Sequence, residues 1–191
     1  SDFNGSSDYF GVSVTTISTL FQCPSECMCV LGNRNVTITC AGETSSMQVL
    51  YPPSVERLSW RNTGIHGIEE NAFKGIPELA DMIVLDLSNN HITRMQPQQF
   101  EGLVNMQGLY LSNNDIVELH PQQFEGLVNL QWLYLHSNDI VELHPQQFEG
   151  LVNLQQLYLY SNDIVALYPQ QFEGLFNLQY LYLYNNDIVE L

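Results

Sequence analysis

"LYLYSNDIVALYPQQFEG", Leu157–Gly174, repeats a stretch 24 residues earlier, "LYLHSNDIVELHPQQFEG", Leu133–Gly150. Three positions differ: His136 becomes Tyr160, Glu142 becomes Ala166 and His144 becomes Tyr168. Aligned on itself, the chain keeps this period from Met82 through Met106, Leu130 and Leu154 to Leu178. Each unit reads L-x-x-L-x-L-x-x-N-x-I-x-x-L followed by F-x-x-L, as in Leu130, Leu133, Leu135, Asn138, Ile140, Leu143, Phe148 and Leu151. An earlier, degenerate unit opens at Val55, runs three residues longer and carries Thr63 where the others carry Asn.

The spacing has a physical reading. L-x-L is a short strand whose leucines point one way and whose intervening residues point the other. One unit cannot bury its own apolar face, but stacked parallel units can, so the leucines merge into one core. Asn90, Asn114, Asn138, Asn162 and Asn186 fall into a column, where an amide that both donates and accepts satisfies the backbone as it leaves the strand. Phe100, Phe124, Phe148 and Phe172 form another column closing the opposite side. A helical repeat would need apolar residues at i, i+3, i+4 and i+7 throughout, which L-x-L-x-x-N-x-I does not supply.

Numbered from the first Leu of each unit, positions 3, 5 and 7 leave the core for the inner face. Position 5 is Tyr110, Tyr134, Tyr158 and Tyr182; position 3 is Gly108, Trp132, Gln156 and Tyr180; position 7 is Ser112, His136, Tyr160 and Tyr184. The copies differ most at these outward positions, together with the connecting segment, and least in the core-building "QQFEGL". Tyr and Trp give large, rigid contact area with a polar tip, and a contiguous exposed aromatic patch marks an interaction site. The candidate ligand-binding residues are therefore Tyr110, Trp132, Tyr134, His136, Gln156, Tyr158, Tyr160, Tyr180, Tyr182 and Tyr184, with protein as the first expected ligand and glycan the second.

The 191 residues are 45% hydrophobic and carry a formal charge of -16. That balance argues against nucleic acid and anionic membrane surfaces as partners and allows a basic partner. The bases are Arg34, Arg57, Arg61, Lys74 and Arg94; no Lys or Arg follows Arg94 in the sequence. No apolar run of about 18 residues is present, so no membrane insertion is expected, and a signal peptide is absent or already removed. Asp115, Asp139, Asp163 and Asp187 recur at position 10, read as a solvated stripe rather than a calcium site. His120 and His144 share position 15, too few ligands for zinc. No nucleophile–base pair, GxSxG, HExxH or phosphate loop occurs, so neither catalysis, a metal nor a cofactor is expected.

Cys23, Cys27, Cys29 and Cys40 lie in "CPSECMCVLGNRNVTITC". The spacing is not two CxxC pairs and includes no His, which favours a disulfide knot over zinc. Of the possible bridges, Cys27 to Cys29 is the least favoured on geometry. Asn4-Gly5-Ser6 and Asn35-Val36-Thr37 are glycosylation sequons, fitting a secreted chain.

From Cys23 to Leu191 the chain resembles extracellular leucine-rich repeat proteins, and is similar to Toll-like and Slit-like ectodomains and to variable lymphocyte receptors. "CPSECMC…C" resembles their N-terminal cysteine cap. The resemblance implies an α/β-type solenoid: a right-handed superhelix with a parallel concave β-sheet, a mostly irregular convex side and a disulfide-bonded N-terminal cap. It further implies the pairs Cys23–Cys29 and Cys27–Cys40. The organisation read here is an extension at 1–22, the cap at 23–54, the degenerate repeat at 55–81 and the 24-residue repeats at 82–191. Two departures stand out. Residues 1–22 match nothing in the family, although "GVSVTTISTL", Gly11–Leu20, alternates like a strand. The sequence also ends within a repeat, without the family's C-terminal cysteine cap. The leading expectation is an extracellular recognition module; the alternative is a scaffold or filament subunit that self-associates head-to-tail at its C-terminal end.

Overall fold

Alternation of Leu with a polar or aromatic residue suits a strand with one buried and one open face. The computed structural model describes residues 27–40, 55–68 and 72–189, where the chain builds one eight-stranded sheet whose spatial order is the chain order. β1 (Cys27–Leu31) and β2 (Asn35–Cys40) form an antiparallel hairpin. β2 then starts a parallel series: β3 (Arg57–Ser59), β4 (Val84–Asp86), β5 (Gly108–Tyr110), β6 (Trp132–Tyr134), β7 (Gln156–Tyr158) and β8 (Tyr180–Tyr182). Repeat pairs with repeat in register, Leu85 to Leu109 to Leu133 to Leu157 to Leu181. This is the leucine-rich repeat solenoid. Its convex side is irregular, and among the described residues the only helix is a 3₁₀ turn at Pro77–Leu79. Asn4, Cys23 and Gly11–Leu20 lie outside the described residues, so the expectations placed on them do too.

The leucines at positions 4 and 6 are wholly buried, Leu109, Leu133 and Leu157 with Leu111, Leu135 and Leu159. Trp60 fills position 6 of the degenerate repeat and is equally buried. Leu178, Leu181, Leu183 and Ile188, which have a neighbouring repeat on one side, pack against the core but are only partly buried. Phe73 stacks on Phe100, Phe124 on Phe148, and Phe148 on Phe172, with centroids 6.2–6.3 Å apart.

The asparagine column does the work its chemistry suggests. Asn138 Nδ2 donates to the carbonyls of Leu111 and Leu135, each at 3.0 Å, while its Oδ1 accepts from Ile116 N at 3.1 Å. Asn90, Asn114, Asn162 and Asn186 bridge neighbouring turns in the same way. At the degenerate repeat the column ends on Thr63, whose backbone N and hydroxyl each lie 2.9 Å from Asn90 Oδ1.

Two further ladders lie on the convex side. Buried Gln123, Gln147 and Gln171 donate Nε2 to the carbonyls of Gln96, His120 and His144 in the preceding repeat, at 2.7–2.8 Å. Exposed Asn129, Asn153 and Asn177 donate to Val104, Val128 and Val152. Position 8 holds a left-handed conformation in every described repeat: Asn62, Asn89, Asn113, Ser137, Ser161 and Asn185, with φ between 54° and 59°. Asn tolerates that region better than most L-residues, because its short amide bonds locally.

Candidate functional site

The register fixes which side chains share the open face of the sheet. Arg57, Val84, Gly108, Trp132, Gln156 and Tyr180 form one row; Ser59, Asp86, Tyr110, Tyr134, Tyr158 and Tyr182 form the next. The position-7 residues continue as a third row from Arg61 and Ser88 to Tyr184. The ten candidate residues thus lie together on one surface opposite the leucines.

These tyrosines are not free-standing. Neighbouring strands lie about 4.8 Å apart, close to the separation of stacked rings, so identical rotamers in one row bring rings into contact. Tyr110–Tyr134, Tyr134–Tyr158 and Tyr158–Tyr182 have centroids 4.9, 4.3 and 4.8 Å apart, the middle pair within 2° of parallel. A second stack runs alongside: His136–Tyr160 at 4.4 Å and Tyr160–Tyr184 at 4.6 Å. The rings from Tyr110 to Tyr160 are half-buried as a result, and Tyr180, Tyr182 and Tyr184 are exposed.

Ring contact occupies part of the ring faces, and two of the hydroxyls find a partner within the face. Tyr134 and Tyr158 both donate to Gln156 Oε1, at 2.7 and 3.1 Å. Burial, reinforced by Tyr158, pushes the Tyr134 phenol well above its ordinary range; burial and then Tyr184 raise that of Tyr160. Both remain neutral hydrogen-bonding groups at physiological pH. Gly108 makes room at the start of the rows: a Cβ there would meet Tyr110 Oη at 3.3 Å and Trp132 Cε3 at 3.4 Å.

His136 interrupts the tyrosine chemistry. Its Nδ1 is buried without a hydrogen-bond partner, and burial lowers its pKa. The unfolded imidazole therefore protonates before the folded one as pH falls, and stability drops below about pH 6.5. His136→Tyr, the residue at Tyr160 and Tyr184, is expected to remove this share of the acid slope. Urea midpoints at neutral and mildly acid pH check it; an unchanged slope in the variant would contradict it.

The chain's acidity sits mostly off this face. At positions 3, 5 and 7 the only carboxylate among the described residues is Asp86, bonded to Ser88 N and Oγ. Asp115, Asp139, Asp163 and Asp187 stand three residues past the third row, and Asp115 bonds His91 Nδ1 at 3.0 Å. Among the described residues no group of three or more His, Cys, Asp or Glu could hold a metal ion. Sequence reasoning overlooked Arg57, Arg61 and Asp86 as face residues, although their positions in the two earliest repeats mark them.

The leucine rich repeat pattern matches residues 53–116, 82–140 and 133–188, more than half of the chain. The chain belongs to the leucine-rich repeat family. Among solved structures, the solenoid is similar to a chain of the Drosophila Toll–Spatzle complex, with a TM-score of 0.66 at 23% identity, over 72% of this chain. The match spans 19% of that chain's length. No curated protein gives a significant match. Leucine-rich repeats build protein-interaction surfaces in general, and no helix among the described residues is long and apolar enough to cross a membrane.

In the β1–β2 hairpin, Cys27 stands opposite Cys40 and Cys29 opposite Ile38. Asn35 opens β2 rather than preceding it, is exposed, and shares a row with Arg57.

Proposed function

We propose that this chain is an extracellular recognition module that binds a protein partner through Tyr110, Trp132, Tyr134, His136, Gln156, Tyr158, Tyr160, Tyr180, Tyr182 and Tyr184. The observation that carries the reading is two rows of aromatic rings in contact on the open face, one keeping Tyr in four successive repeats and the other at position 7, where near-identical repeats diverge. A row of rings already in contact loses little freedom on binding, which favours affinity. Protein is preferred over glycan because the faces that Tyr134, Tyr158, His136, Tyr160 and Tyr184 turn to their stacked neighbours are closed to sugars. The chain of similar fold was solved with Spatzle, an instance of a family member in a protein complex.

The extracellular reading carries two further expectations. The cap is closed by Cys23–Cys29 and Cys27–Cys40; opposite cross-strand residues such as Cys27 and Cys40 fall within bridging distance. Asn35 carries an N-linked glycan when the chain passes through a eukaryotic secretory pathway. Peptide mapping of secreted, non-reduced protein is expected to find both bridges and a modified Asn35; free thiols would contradict the assignment.

The functional test is a screen of secreted and cell-surface ectodomains with the multimerised chain. A partner is expected that is lost with Tyr134→Ala/Tyr158→Ala and retained with Val141→Glu on the exposed flank. Binding indifferent to the tyrosine substitutions would overturn the proposal.

A further inference from the structure

The chain has five basic residues, and the structure divides them. Arg34 pairs with Glu56 and Asp81, Lys74 with Glu101 at 2.8 Å, and Arg94 lies 3.9 Å from Glu118. Arg57 and Arg61 have no carboxylate partner among the described residues, and both belong to the open face. Arg61 Nε and Nη2 lie 2.9 and 3.1 Å from the Asn89 amide when its oxygen is turned toward them, a neutral partner that orients the guanidinium without cancelling its charge. Arg57 acts on the tyrosine row as well: after burial, its charge is the largest influence on the Tyr110 phenol, ahead of Asp86.

From Gly108 to Tyr184 the three rows carry no Lys, Arg, Asp or Glu. Beside that uncharged stretch runs the position-10 edge, Asp115, Asp139, Asp163 and Asp187. A carboxylate on a ligand is repelled along the tyrosine rows and attracted at one end only, where two guanidiniums outweigh Asp86.

Building on the reading of this face as a polypeptide-binding surface, we propose that it binds its partner in one direction. A carboxylate-bearing segment docks on Arg57 and Arg61, and an uncharged, hydrogen-bonding segment lies along Tyr110, Tyr134 and Tyr158. Guanidinium forks suit carboxylates bidentately, and the half-buried phenols with the shared Gln156 amide suit a backbone or polar side chains. Like charge along the aspartate edge disfavours the reversed orientation, so direction is set by repulsion as well as attraction.

The probe is a displayed library of random peptides, selected in parallel on the whole wild-type chain, on Arg57→Glu/Arg61→Glu and on Tyr134→Ala/Tyr158→Ala. Both arginines are exposed and have no ion pair among the described residues, so the charge reversal leaves the solenoid folded, which circular dichroism checks. Wild type is expected to enrich peptides with Asp or Glu at one end beside an uncharged stretch, by about tenfold over the starting library, and the charge-reversed chain to select Lys or Arg there instead. Acidic peptides recovered equally on the charge-reversed chain, or wild-type peptides that are basic, uncharged or not enriched, would overturn the directional proposal. Sensitivity to the tyrosine substitutions without acidic preference defeats it while leaving the face as the binding surface. Acidic preference insensitive to the tyrosines defeats both.

Discussion

Replacing Asn138 with Ala is expected to cost about 3–5 kcal/mol of folding stability, among the largest effects of any single substitution in this chain. The amide serves three backbone groups at once, the carbonyls of Leu111 and Leu135 and the amide of Ile116, all in the buried interior. Truncation leaves each without its partner, and an unsatisfied buried group costs roughly 1–3 kcal/mol. Asn153→Ala is the matched control: it removes one exposed bond, to the Val128 carbonyl at 2.8 Å, and is expected to cost about 0.5–1.5 kcal/mol. Denaturant titration of both variants decides. If Asn138→Ala cost no more than Asn153→Ala, the ladder would not be holding the turns together.

The second large effect is at Tyr158. Its ring lies between Tyr134 and Tyr182, contacts Tyr160, and its hydroxyl bonds Gln156. Tyr158→Ala is expected to lose about 2–3 kcal/mol of stability, from two ring pairs at roughly 0.5–1.5 kcal/mol each plus lost apolar burial. It is also expected to weaken partner binding by about 30-fold or more, the size of a central aromatic anchor. Tyr158→Phe separates the roles: stacking and most stability remain, while binding that uses the hydroxyl falls. A Phe variant with unaltered affinity would assign the contact to ring edges alone.

The strand register, the leucine core and the asparagine column were all legible in the sequence, because each is a consequence of period. A 24-residue repeat puts Leu133, Leu157 and Leu181 at equivalent sites, and alternation fixes that Tyr134 points opposite to them. What period does not fix is how equivalent side chains meet. The sequence reading places Tyr134 and Tyr158 in a contiguous exposed patch, yet the rings lie 4.3 Å apart and are half-buried, since contact depends on side-chain rotamers that period does not set. The invariance of "QQFEGL" was visible at Gln123 and Gln147, but not its cause, an amide reaching the preceding turn's carbonyl. Net charge misled about the face itself. It sums over the whole chain, whereas the place of Arg57 and Arg61 on the open face and the uncharged tyrosine rows emerge once the strands are aligned. Asn35 begins β2, where its carbonyl accepts from Gly32 N at 2.8 Å and closes the hairpin turn.

The central claim, that the open face of the sheet is the recognition surface, is tested most directly by hydroxyl-radical footprinting of the chain alone and with its bound partner. Tyr134, Tyr158, Tyr160 and Tyr184 are expected to become protected, while exposed Val117, Val141 and Val165 on the flank and Val128 and Val152 on the convex side keep their reactivity. Protection confined to those valines, with the tyrosines unchanged, would contradict the account.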